Sequence, residues 1–398
     1  MKRGATRDNG DVPPAKAGAG AAGGGSRSTG TARSARPGAL WLGLAAVALL
    51  VLFPFIFALI SGRPVDSGPP KFWQGQLVVV FLMAVFAMSY DLLLGFVGVL
   101  SFGHAAFFGG GAYAMALFLA HGVPRIGGGM AAAGPVLQGL LLAGGFVLVV
   151  AVCILLGLLF SVVSVRVKGV YFAMITLAIA VALYILAKST DFVQWTGADE
   201  GLHGIAIPAW LNPTRFRLRF YYITLGFLIL MYLTLRRISR SPVGRVFIAI
   251  RENESRARMI GYNPALYRTL AFVISAVTAG LAGGLYAIWD RGATPSLMDI
   301  STTIDALIMT ILGGIGTLIG PVLGAGIMEI FGHFFYQWFG ARWPLVFGVI
   351  FIVLVLFLPQ GIVGTLARTK TIRVGRKEAN RRFLGLLTDR RRSTGGKQ

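Results

Sequence analysis

The 398-residue chain is poor in charge, poor in acidic groups and almost free of cysteine. Only 13% of its residues are Asp, Glu, Lys or Arg, against about 25% in an ordinary soluble domain, so lipid is the expected main solvent. Cys153 is the single cysteine. An internal disulfide is therefore excluded, and its place in an apolar run marks it as a packing residue. The histidines His104, His121, His203 and His333 are scattered, with neither an H-E-x-x-H helix nor a cysteine pair beside them, so the pattern of a metal site is missing. A G-x-x-x-x-G-K-[ST] phosphate loop is missing too, which excludes ATP hydrolysis by this chain alone. No catalytic constellation stands out. The chain is not expected to be an enzyme, nor to hold a cofactor or a metal.

Apolar residues are abundant, at 56% of the chain, and they come in blocks. A hydrocarbon core of about 30 Å needs roughly 20 helical residues. Blocks suited to crossing it fall at 40–60, 76–95, 99–120, 137–163, 169–187, 220–236, 269–288, 304–316, 318–338 and 344–360. The fold class is all-α: a polytopic membrane protein with about ten transmembrane or half-crossing helices.

The net charge of +22 would suggest a nucleic-acid partner in a soluble protein. Here the basic residues gather in an N-terminal tail (1–38), a C-terminal tail (366–398) and the stretch 236–268. That distribution reads as topology and contact with anionic membrane lipid, with no nucleic acid. An even span count puts both termini, Arg166, Lys168 and the loop 237–268 on the cytoplasmic side. The expected organisation is a disordered basic tail over 1–38, a permease domain over 39–365 and a second basic tail over 366–398.

Two spans are interrupted by glycine: 99–120 at Gly103, Gly109, Gly110 and Gly111, and the short run 304–316 at its end and just beyond, at Gly313, Gly314, Gly316, Gly320 and Pro321. Such interruptions are tolerated where protein or water satisfies the backbone. They read either as close helix packing or as paired walls of a route, with Ser101, Thr176 and Thr317 as polar groups along it. On the second reading the two segments face each other, and Leu at Gly103 or Gly314 blocks the route while assembly persists. Asp91, His104 and Asp305 are ionisable groups in or near spans, which marks them as candidates for function. For His104 the competing reading is an imidazole bonded to a neighbouring helix. The external loop 188–219 carries Asp199 and Glu200, either a charged docking site or a solvated turn.

Ser241–Pro264 combines charge with an apolar stripe. Ser241 suits a helix cap and Pro242 its first position. Val243, Val246, Phe247 and Ile250 fall on one face. Glu252–Arg256 and Glu254–Arg258 are spaced for ion pairs, and Gly261 with Asn263-Pro264 supplies a stop. The expectation is one short amphipathic helix, lying on lipid or seated in a protein socket.

Four ordered stretches resemble LivM-type permeases, the membrane subunits of ABC importers for branched-chain amino acids. They are Gly98-Val99-Leu100-Ser101-Phe102-Gly103-His104-Ala105 with Gly111-Ala112-Tyr113; Arg166-Val167-Lys168-Gly169-Val170-Tyr171; Ser241–Pro264; and Leu312-Gly313-Gly314-Ile315-Gly316-Thr317 up to Pro321. The resemblance spans roughly residues 76–365 and implies a plasma (inner) membrane location. It also implies a second, LivH-like permease, two cytoplasmic ATPase subunits and a periplasmic substrate-binding protein. It makes Ser241–Pro264 the ATPase-coupling loop, with Phe247, Ala249, Arg251, Glu252 and Gly261 at the contact. Ser101, Gly103, His104, Tyr113, Gly313 and Gly314 are the candidates for the translocation path. Ala198 departs from the family pattern, which has a second glycine after Thr-Gly. Related permeases serve urea, short amides or other amino acids, so the solute stays open here. An ion-coupled carrier using Asp91, His104 and Asp305 as a relay is the reading from another class.

Overall fold

The computed structural model describes residues 37–127, 129–130, 133–167, 169–357 and 361–365. The N-terminal tail up to residue 36, the C-terminal tail 366–398 and Lys168 lie outside the described residues. The chain divides into two compact units, 1–51 and 52–398. The described element of the first is the opening stretch of α1 (Pro37–Ser61). The rest of α1 and every later element belong to the second.

Helix α2 (Gly68–Asp91) runs on into a π-helical segment, Leu92–Val97. A non-helical turn leads to α3 (Ala105–Leu117), a second π segment (Phe118–Gly122) and α4 (Val123–Gly127). Then come α5 (Pro135–Arg166), α6 (Val170–Lys188) and the short α7 (Val193–Thr196). The strand β1 (Leu202–His203) precedes α8 (Arg217–Arg240), α9 (Pro242–Glu252), α10 (Glu254–Met259) and α11 (Pro264–Asp290). Last are β2 (Gly292–Ala293), α12 (Ile300–Gly313), α13 (Ile319–Phe339) and α14 (Trp343–Phe357). Among the described residues eight helical stretches are long and apolar enough to cross a membrane, and α12 and Pro344–Val353 are shorter apolar helices. Each of the ten expected segments thus has its helix.

The boundaries follow local chemistry. Proline stands in the first turn of α2, α5, α9 and α11, where no amide hydrogen is needed. Asn263 and Asp299 cap α11 and α12, accepting from Ala265 N at 3.1 Å and Ser301 N at 2.9 Å. Gly98, at φ 78°, ends the first π segment, so α3 starts at Ala105 rather than at the apolar residue 99.

Helices α2, α3 and α11 form the buried centre. In lipid, helices associate through close packing rather than through exclusion of water, which favours small residues at the contact. Gly111 lies against the backbone of Gly280, and Gly283 against Phe108 O and Ala112 N. Cys153 of α5 is buried beside them, and its Sγ donates to Phe107 O at 3.7 Å. Helices α5 and α6 expose large apolar side chains, among them Leu155, Val162, Tyr171 and Met174, as surfaces facing lipid or another membrane subunit do.

Candidate functional site

Helix α9 forms as its sequence indicates. Pro242 opens it, and Ser241 Oγ accepts from Gly244 N at 3.4 Å. Val246 and Ile250 cluster with Ala257 and Tyr267, and Phe247 meets the Tyr267 ring edge-on at 6.4 Å. Phe247 is completely buried, which corrects its assignment to an ATPase contact: the stripe faces the chain's own helices. The helix also stops sooner than expected. Asn253 leaves helical geometry and its side chain accepts from Arg256 N at 2.9 Å, starting α10. A side chain that caps a new helix competes with continuation of the old one. The spacing of Glu252 and Arg256 therefore falls across a break, whereas Glu254 bonds Arg258 at 3.3 Å and Arg268 at 2.9 Å.

The outward face of α9–α10 carries Arg245, Ile248, Glu252, Gly261 and Tyr262, with Ala249 half-buried. Met259 and Ile260 are 80% and 70% exposed at its tip. Sequence reasoning missed this pair, because it lies beyond the stripe and next to the stop at Gly261. Adjacent exposed apolar residues in a charged loop were the available signal.

Arg251 is exposed, yet its guanidinium reaches back onto the chain's own backbone. Its Nη1 donates to Gly95 O in the first π segment, and its stem lies over Gly98, where an added Cβ would meet Arg251 Cγ at 2.7 Å. One turn earlier, buried Asp91 accepts from Gly316 N at 2.6 Å and Leu318 N at 3.2 Å. These amides belong to the break between α12 and α13, where Thr317 Oγ1 donates to Gly314 O at 2.7 Å and accepts from Gly320 N at 2.9 Å. Leu318 sits at φ 54°, a backbone region that a bulky residue rarely adopts. Gly95 packs on the Gly316 backbone. Three separate segments therefore meet at the end of α2.

The expected path residues are placed differently from the sequence reading. Ser101, Gly103, His104, Tyr113, Gly313 and Gly314 are all buried, and the two glycine segments do not build one shared wall. Gly103 packs on Phe160 and Thr176, Gly109 on Leu297 and Met298, and Gly111 on Gly280. The 313–321 segment packs instead on Asp91 and Gly95. The hydroxyls are occupied locally: Ser101 Oγ accepts from Gly103 N at 3.3 Å, and Thr176 Oγ1 from Phe102 N at 3.2 Å. Leu at Gly103 has no room, because even a Cβ would lie 2.6 Å from Thr176 O. Gly314 holds φ 122°, which strains any side chain. Both placements predict that such variants assemble poorly. Asp91, His104 and half-buried Asp305 share no hydrogen bond among the described residues: Asp91 holds Gly316 and Leu318, and His104 holds Ser89.

On the loop after α6, Asp199 Oδ1 lies 2.8 Å from Lys188 Nζ, and Glu200 O accepts from His203 Nε2 at 2.6 Å. Ala198 stands at φ 49°, a conformation glycine takes without steric cost. Next to it β1 pairs antiparallel with β2, Leu202 opposite Ala293 and His203 opposite Gly292.

Residues 74–358 match the family model described as branched-chain amino acid transport system / permease component. The high-affinity branched-chain amino acid transport system permease protein LivM of Escherichia coli K12 is 27% identical over 349 residues, covering 80% of this chain and 74% of that protein. The probable LivM of Methanocaldococcus jannaschii is 24% identical over 313 residues, covering 75% and 86%. LivH of E. coli K12 is 25% identical over 296 residues, covering 71% and 91%. No solved structure matches. With the match running from α2 into α14, and with its glycine-rich breaks and its amphipathic loop in place, the chain belongs to the branched-chain amino acid transport system permease family.

Proposed function

We propose that this chain is one membrane half of an ABC importer that carries branched-chain amino acids inward across the plasma membrane. In this reading it pairs with a LivH-like permease, two cytoplasmic ATPase subunits and a periplasmic binding protein, with both termini in the cytoplasm. The observation that carries it is the α9–α10 element. It is pinned by Val246, Phe247 and Ile250 and offers Ile248, Glu252, Met259, Ile260 and Tyr262 outward. A mixed acidic, basic and apolar face suits a protein socket better than an anionic lipid surface, which would repel Glu252. The ATPase contact then consists of Ala249, Glu252 and Gly261 together with Met259 and Ile260.

The Ser101–Tyr113 and Gly313–Pro321 segments, packed on different neighbours, support the helices of the permease wall from within. The solute route runs where that wall meets the second permease. Asp199 and Glu200 lie at the binding-protein end, with Lys188 tempering the charge of Asp199. The test is reconstitution with the neighbouring subunits in vesicles. Uptake of leucine, isoleucine or valine should need ATP and the binding protein, and the doubly substituted Met259→Asp/Ile260→Asp chain should lose its ATPase during purification. Normal ATPase retention and uptake in that variant would remove the coupling reading.

A further inference from the structure

We infer that Arg251 and Asp91 are positioning residues that carry displacement of α9 through the end of α2 to the break between α12 and α13. The inference rests on the coupling reading of α9 and names the route by which a push on that helix reaches the membrane core. Neighbouring spans in the chain are the obvious route, since α9 is followed closely by α11. That route has the Glu254–Arg268 bond between α10 and α11, but a second connection leaves α9 itself through Arg251.

Arg251 is the residue of α9 that leaves its own element to bond a distant backbone, Gly95 O, 156 positions away. Its guanidinium is planar and always charged, so one rigid group spans the gap. Gly95 and Asp91 are four residues apart and hence on one face of the helical segment. A shift that Arg251 imposes at Gly95 is therefore shared by the Asp91 carboxylate one turn away. That carboxylate grips two amides of the break, Gly316 N and Leu318 N, 225 and 227 positions away. Arg251 also stands near the break itself, 3.7 Å from where a Gly316 Cβ would be. Leu318 at φ 54° is a conformation that persists only where surroundings over-determine it, and Asp91 supplies that hold. Tight backbone approach at Gly95–Gly316 leaves no slack in the chain of contacts. Interfaces of this kind are bistable rather than continuously deformable.

A merely structural pin would stabilise the break equally in every nucleotide state, so the test compares states. The full importer in nanodiscs is followed by hydrogen exchange of the peptide covering 313–320, with and without ATP and vanadate. In the unsubstituted chain the exchange of this peptide should differ several-fold between the states. Arg251→Gln should abolish the difference, and Arg251→Lys should restore part of it. Asp91→Asn should speed exchange in both states; should that chain not fold, the two Arg251 variants carry the test. The link is overturned if Arg251→Gln keeps the full nucleotide-dependent difference, or if the unsubstituted importer shows none. Neither result bears on ATPase retention by Met259 and Ile260, so failure of the link and failure of the coupling reading are told apart.

Discussion

His104 Nε2 lies 2.8 Å from Ser89 Oγ, and that hydroxyl spends its own proton on Phe86 O at 2.6 Å. The ring nitrogen is therefore the donor, and the imidazole acts as a strut between the start of α3 and α2. We predict that His104→Ala lowers the stability of the purified importer by about 2 kcal/mol, the cost of an orphaned buried partner. His104→Gln should recover part of the loss. Uptake by the unsubstituted importer should persist with ionophores present. Ionophore-sensitive, ATP-independent uptake would restore the proton-relay reading.

Phe247→Ala should act through folding. Removing a buried ring leaves a cavity, at about 3–5 kcal/mol in a packed core, so thermal unfolding should come earlier with the ATPase or without it. Ile260→Asp, on an exposed residue, should leave that midpoint unchanged and reduce ATPase retention. Equal destabilisation by both would contradict the division between inward and outward faces.

Gly103→Leu should abolish assembly rather than only block transport. Overpacking costs about 1–3 kcal/mol where neighbours can shift, and Thr176 O is backbone. Gly103→Ala should fall between, with reduced yield and residual uptake. The measurement is complex yield on size exclusion, set against uptake per assembled importer.

Glu200→Lys and Asp199→Lys should weaken binding-protein stimulation of ATPase activity, most clearly at low salt. Asp199→Asn should have the smaller effect, because Lys188 already faces that carboxylate. An unchanged stimulation curve at low salt in both charge reversals would return the loop to a solvated turn. Ala198→Gly should leave stimulation intact and raise stability slightly, since it relieves a positive φ.

Helices were legible because their signals are local. Apolar length announced the spans, and Ser241-Pro242 and Asn263-Pro264 announced the ends of the amphipathic loop. The break at Asn253 was harder to read, because a polar residue within an apolar repeat shows its capping role only once Arg256 N is placed. Contacts across more than a hundred residues left no periodic trace. Nothing in the spacing of Arg251 tells that it reaches Gly95, or in Asp91 that it holds Leu318. Glycines such as Gly103 and Gly111 were open to two readings, a lining or close helix packing, and only the neighbours of each glycine decide which.

The small β1–β2 ladder joins the loop bearing Asp199 and Glu200 to the connection that feeds α12. It lies at the far end of α11 from α9, and 27 helical residues place those ends about 40 Å apart. Helix α12 is thus tethered at both ends: by a pair of backbone strands before it, and by a carboxylate at the break that follows it. A tug on the strands and a thrust from α9 would reach the same short helix from opposite directions. Arrival of cargo outside and turnover of nucleotide inside would then be two hands on one lever.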